Sequence, residues 1–191
     1  SGSAYVFRPS DDQYGGATYD QVAKLTASDA AYMDLFGESV AIDGTTVVVG
    51  AYGAGTGGAA YVFHTEDDGA TYDEVAKLTA TDAAADDLFG VSVAIDEDSV
   101  VIGARGKNSD TGAVYVYRTS DGGATYGKVG ILTAADGASG SRFGYAVAID
   151  GNVVATGADS FDDNRGAVYI FSTSDGGATY DHVEKLMATD A

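Results

Sequence analysis

The chain has 191 residues, 45% of them apolar, and a net charge of -19. Length and apolar content allow one domain with a sizeable core and exclude a disordered chain. The acidic balance excludes nucleic acid and anionic membrane surfaces as partners, because both would repel it. It suits salty or calcium-containing surroundings, where counterions screen self-repulsion.

The first predicted element is the apolar strand Ala4-Tyr5-Val6-Phe7, followed by a Ser/Asp/Gly loop and a second strand at Val22-Ala23-Lys24-Leu25-Thr26. This pair returns three times: Ala60-Tyr61-Val62-Phe63, Val114-Tyr115-Val116-Tyr117 and Val168-Tyr169-Ile170-Phe171 each precede a Gly-Ala-Thr-Tyr turn and another strand. In those copies two further strands come first. Phe36-Gly37, Phe89-Gly90 and Phe143-Gly144, spaced by 53 and 54 residues, open a strand that alternates Val or Ile with Ser or Ala. One bulky face and one small face suit a crowded position where sheets converge. A tight turn at Asp43-Gly44, Asp96-Glu97 or Asp150-Gly151 leads to Val47-Val48-Val49, Val100-Val101-Ile102 or Val153-Val154-Ala155. Such a continuous apolar run predicts burial on both faces. It ends at Gly50-Ala51, Gly103-Ala104 and Gly157-Ala158, and a polar loop of variable sequence, in which no helix is expected, joins it to the Tyr-Val-Phe strand.

Lys24, Lys77 and Lys185 share one position of the last strand, as charges that blunt an exposed sheet edge do. Four antiparallel strands graded from small-faced and buried to edge-like make a propeller blade. The fold class is therefore all-β: a half blade at 1–27, then blades at 28–80, 81–134 and 135–191. That is about three and a half blades, a partial propeller in one continuous repeat domain.

Phe-Gly opening one strand and Gly-Ala closing the next resembles the FG-GAP repeat of integrin alpha-subunit propellers. The likeness is closer to the repeat arrays of microbial and algal surface proteins, and it covers essentially the whole chain. Membership would imply a β-propeller in an extracellular or cell-surface protein that binds other proteins. Two features depart from the pattern. Tyr52, Arg105 or Asp159 follows Gly-Ala where the family name has proline, and a tight turn stands where integrin blades carry an Asp-rich calcium loop. Integrin-like ligand binding is therefore carried over to no residue.

Little in the chain resembles catalytic machinery. Without cysteine there are no disulfides or thiolate metal sites, and His64 and His182 occupy columns that other copies fill with assorted polar residues. No zinc spacing, phosphate-cradling glycine motif or Ser-His-Asp arrangement is present, so no enzyme is expected. No stretch approaches membrane-spanning length and no segment reads as a signal peptide, which predicts a chain that is not exported or one that is mature or trimmed. The candidate metal ligands are Asp159, Asp162 and Asp163, hard oxygen donors crowded into one loop that would hold Ca2+, the single cofactor with any support. Asp29, Asp82, Asp136 and Asp190 recur after the outer strand and read as turn formers. Tyr14, Tyr32, Tyr52 and Phe161 break the repeat in loops, where a partner would be gripped.

The functional expectation is a non-enzymatic extracellular structural or adhesion module that presents acidic loops for protein interaction. The alternative is a glycan-binding propeller lectin, although the variable loops differ between copies where a lectin would repeat its sugar-gripping residues. An open arc exposes sticky blade faces at both ends, so the expected partner is the chain itself, in a ring or a filament, or the rest of a longer repeat array. Protein or glycan ligands fit this reading; nucleic acid and membrane insertion do not.

Overall fold

The computed structural model describes residues 1–11 and 17–189. Among them are fourteen strands in four antiparallel sheets. Strands β1 (Ala4–Asp11) and β2 (Ala17–Leu25) form a two-stranded sheet. The second sheet is β3 (Val40–Asp43), β4 (Thr46–Ala51), β5 (Ala59–His64) and β6 (Asp73–Leu78). The third is β7 (Phe89–Asp96), β8 (Ser99–Ala104), β9 (Ala113–Arg118) and β10 (Gly127–Leu132). The fourth is β11 (Phe143–Asp150), β12 (Val153–Ala158), β13 (Ala167–Ser172) and β14 (Asp181–Leu186). Each four-stranded sheet runs in chain order, as a meander blade requires.

The core lies between sheets. In β4, Val47 and Val49 pack toward the two-stranded sheet, while Val48 packs toward β7. That is why the strand is apolar at every position. Each repeat phenylalanine meets two aromatic rings of its own blade edge-on; Phe89 lies 5.2 Å from Tyr115 and 6.2 Å from Tyr117, centre to centre. The glycine after it has a φ of 96° at Gly37, 90° at Gly90 and 87° at Gly144. A side chain there would be strained, and in all three units it would also meet backbone of the preceding sheet's segment, Ser3, Ala59 or Ala113.

Polar atoms on the small face tie neighbouring blades. Ser39 Oγ donates to the Gly90 carbonyl and Ser92 Oγ to that of Gly144, both at 2.9 Å. The turn aspartates do the same at the other end of the strand: Asp43 accepts the Glu97 amide and Asp96 that of Gly151, each at 2.7 Å.

Two expectations need correction. The opening strand of the first full blade begins at Val40, whereas its counterparts begin at Phe89 and Phe143. Those two phenylalanine amides are held by the carbonyls of Gly57 and Thr111 in the preceding blade's loop. Second, the variable loops contain two four-residue helical turns, Lys107–Asp110 and Phe161–Asn164. Both are left-handed over Asn108–Asp110 and Asp162–Asn164, a conformation that Asn and Asp tolerate better than other side chains.

Candidate functional site

The aspartates that follow each outer strand do more than turn the chain. Asp29, Asp82 and Asp136 each reach the central tyrosine of the blade they lead into; Asp190 lies outside the described residues. Tyr61 donates its hydroxyl to Asp29 at 2.7 Å, Tyr115 to Asp82 at 2.8 Å and Tyr169 to Asp136 at 2.9 Å. A lysine takes the second carboxylate oxygen: Lys77 bonds Asp29 and Lys185 bonds Asp136, both at 2.5 Å. The ammonium also lies over the tyrosine ring, 5.3 Å from the centre for Lys77 and Tyr61. These lysines therefore clamp each blade's outer strand to the linker that leads into it; blunting the edge is not their main contact.

The third sheet solves the problem differently. Ile131 stands where the other copies have lysine. Lys107 enters from the variable loop instead, 2.9 Å from Asp87 Oδ2 and 3.2 Å from Asp82 Oδ2, and also bonds the Asp82 carbonyl. Its ammonium and the Asp87 carboxylate are nearly fully buried. A fixed internal cation thus fills the space among these acidic groups.

The electrostatics follow from these contacts. The Lys77 bond, then the Tyr61 hydroxyl, holds Asp29 below its ordinary range, and Lys185 does the same for Asp136. At Asp82 burial pushes upward, but the bonds from Tyr115 and Lys107 prevail and the group is lowered. Burial, reinforced by the Asp29 carboxylate, pushes the Tyr61 hydroxyl up to about 12. Tyr115 and Tyr169 are raised for the same two reasons.

A second polar cluster closes the loop between the third and fourth strands of each four-stranded sheet. Thr119 Oγ donates to Asp121 at 2.8 Å and accepts the Gly123 amide at 2.9 Å. Asp121 in turn accepts the amide and hydroxyl of Thr125. The same set recurs as Thr65, Asp67 and Thr71 and as Thr173, Asp175 and Thr179. Bonds from Thr71 and Thr125, hydroxyl first, hold Asp67 and Asp121 down to about 2.

The predicted calcium ligands point elsewhere. Asp159 lies 3.5 Å from Arg142 of the preceding linker, and Asp162 lies 3.4 Å from Arg165. Asp163 is exposed on the left-handed turn. Among the described residues no three carboxylate or imidazole groups converge on a cation position. Asp162 and Asp163 instead line a polar cleft of about 690 Å³ between the third and fourth blades, with Arg105, Arg142, Ser139 and Asn164.

The loop aromatics separate as well. Tyr14 lies outside the described residues. Tyr32 is 91% exposed, and its neighbour Met33 is exposed too. The loop carrying half-buried Tyr52 reaches this segment through the Gly53 amide, which bonds the Asp34 carbonyl. Phe161 packs on its own blade, edge-on to Tyr169 at 6.2 Å with Lys185 Nζ 4.2 Å from its ring centre. The feature the sequence hid was Lys107; its signal was the missing lysine at Ile131.

Comparison with known structures supports the architecture. The Saccharomyces cerevisiae protein Sqt1 superposes with a TM-score of 0.53 at 12% identity, over 82% of this chain and 36% of its own. An α-L-arabinofuranosidase from Fusarium graminearum, in complex with an iminosugar inhibitor, gives 0.52 at 13% identity, over 80% of this chain and 48% of its own. A mutant of that enzyme gives 0.51 over 81% and 52%. The chain thus spans between about a third and half of these proteins, and such identities speak for the fold alone. No curated protein matches the sequence. The FG-GAP repeat model matches residues 19–63, 72–117 and 126–171, and the chain belongs to the FG-GAP repeat family.

Proposed function

We propose that this chain is a non-enzymatic structural or adhesion module, located outside the cell or on its surface, that joins a larger assembly through its open blade faces. One observation carries the reading. Val93, Ile95, Leu78 and Leu132 are buried inside the chain, whereas their counterparts at its two ends are exposed, Val40 and Ile42 at one and Leu186 at the other. Support for a non-catalytic role comes from the carboxylates, since those with lowered pKa values are engaged in structural hydrogen bonds. FG-GAP domains are generally non-catalytic, and the family is typical of extracellular or surface proteins. Among the described residues no helix is long and apolar enough to cross a membrane.

The test combines sedimentation with binding of an apolar-surface dye. Self-association or dye binding, either one reduced by Ile42→Lys and Leu186→Lys, supports the reading. A monomer that binds no dye overturns it.

Glycan binding is the second reading, favoured by the polar cleft between the third and fourth blades. A glycan array with wild type and Arg142→Ala decides it: retention lost in the variant supports a sugar site, and no retained glycan removes it.

A further inference from the structure

The boundary between the third and fourth blades departs from the repeat at three positions, and all three line one cleft. Where the earlier linkers read Asp34-Leu35 and Asp87-Leu88, this one reads Ser141-Arg142. The backbone is the same: Leu35, Leu88 and Arg142 have left-handed φ angles of 57°, 59° and 57°. Ser141 Oγ also keeps the turn bond, accepting the Ala138 amide at 3.1 Å as Asp87 accepts that of Ala84 at 2.8 Å. The exchange therefore leaves the local fold alone while removing one negative charge and adding one positive.

The third departure is Ser160, where the earlier variable loops have Gly53 and Gly106. Those glycine amides bond the Asp34 and Asp87 carbonyls at 3.1 and 3.0 Å, and a Cβ on either would fall 2.1 or 1.9 Å from a linker carbonyl oxygen. Ser160 carries a Cβ and makes no such bond, so its loop stands off from the linker and leaves the cleft of about 690 Å³. That volume is within the ~300–1,000 Å³ of small-molecule sites. The opposite wall is fixed: the Arg142 amide bonds the Asp110 carbonyl at 2.7 Å, and Ser139 Oγ donates to the Ser109 carbonyl at 2.8 Å. Into this space comes Arg105. Arg118, Arg142 and Arg165 each lie 3.4 to 3.8 Å from a carboxylate, whereas no described carboxylate pairs with Arg105. Its Nε is buried without a hydrogen-bond partner, and its guanidinium carbon lies 5.8 Å from the ring centre of Tyr145. A buried, unpaired donor of this kind calls for an acceptor from outside.

We propose that the cleft binds a saccharide through the carboxylate of a uronic acid residue, with Arg105 as its anchor and Arg142 beside it. The assignment deepens the glycan reading and rests on it. A planar guanidinium grips a carboxylate through two parallel hydrogen bonds. Around it stand groups that suit sugar hydroxyls. Asp110, Asp163 and Asn164 offer acceptor oxygens, and the Ser160 hydroxyl caps no amide of its own loop. The same aspartates repel a run of acidic groups, so the ligand is a uronate set between neutral sugars. A peptide fits less well, because Ala138 supplies the one apolar side chain of the lining and the large anchors of protein interfaces find no pocket.

The probe is an oligosaccharide alternating glucuronate with N-acetylglucosamine, titrated into the full chain by calorimetry. It should bind saturably, and its carboxyl-reduced form should bind roughly tenfold or more weakly, the scale of one hydrogen bond to a charged group. An acetylated peptide alternating Asp with Gly should not bind. Arg105→Gln should melt as wild type does and lose the preference for the acid over its reduced form. Ser160→Gly restores the residue of the other repeats, so it should melt no lower than wild type, and it should lose binding as the loop closes on the linker. No binding, equal affinity for the reduced form, equal affinity for the peptide, or affinity unchanged in both variants would overturn the assignment. If the reduced form or a neutral glycan binds as tightly and Arg142→Ala abolishes it, the glycan reading stands and the uronate falls. If no glycan is retained at all, both fall.

Discussion

Replacing Lys107 by methionine keeps most of the buried volume and deletes the ammonium. Both carboxylates, Asp82 and Asp87, and the Asp82 carbonyl then lose the ammonium, and among the described residues only the Tyr115 hydroxyl and the Ala84 amide still reach the carboxylates. Breaking a buried ion pair from one side costs about 3–5 kcal/mol. Asp87 is buried, but the Asp82 side chain is about half exposed and recovers solvation, so the lower end applies, about 3 kcal/mol. For a chain of this size that is roughly 6–12 °C in melting temperature. Adding Ile131→Lys to this variant restores a lysine at the position of Lys77 and Lys185. It should reach Asp82 but not Asp87, returning about half of the loss. Thermal melting of wild type, Lys107→Met and the double variant measures both terms. A loss below about 0.5 kcal/mol, the scale of an inert surface change, would refute the buried clamp. No recovery in the double variant would refute the equivalence of the two lysine positions.

Acid should weaken the fold over a defined window. Folded Asp67 and Asp121 titrate at about 2, against about 4 in an unfolded chain. Their stabilisation is complete above pH ~4 and is lost as pH falls toward ~2. Asp121→Asn should flatten that slope in melting curves, and a chain equally stable at both ends of the window would contradict it. Gly103→Ala should destabilise strongly, because its Cβ would sit 2.1 Å from the Gly144 oxygen, whereas Gly157→Ala should be neutral; equal melting temperatures for the two would count against the packing described. Calcium should raise the melting temperature no more than sodium chloride at equal ionic strength, since Asp159 and Asp162 already face arginines. A calcium-specific rise abolished by Asp162→Ala would show a site.

The strand order was legible because apolar runs and alternation repeat in register; Val47-Val48-Val49 needs two neighbouring sheets, and the chain provides them. The clamps were not legible. Asp29 looks like any turn aspartate until Tyr61, 32 residues on in the blade it leads into, is brought beside it, and local pattern carries no trace of that pairing. Lys107 and Ile131 each look like noise in their columns; only folding reveals that one replaces the other. Asp159, Asp162 and Asp163 crowd together in sequence, but the left-handed turn and nearby arginines send Asp159 and Asp162 to different partners.

Because every clamp joins an aspartate and a tyrosine of the same repeat, its two halves are inherited together. Losing or duplicating one whole period would still bring an equivalent aspartate to an equivalent tyrosine. Copy number in such a gene can drift by unequal recombination without a new interface having to evolve. Lys107 marks the one internal hazard: a crossover between Asp87 and Lys107 would join the buried carboxylate to a loop without its lysine and leave an uncompensated charge.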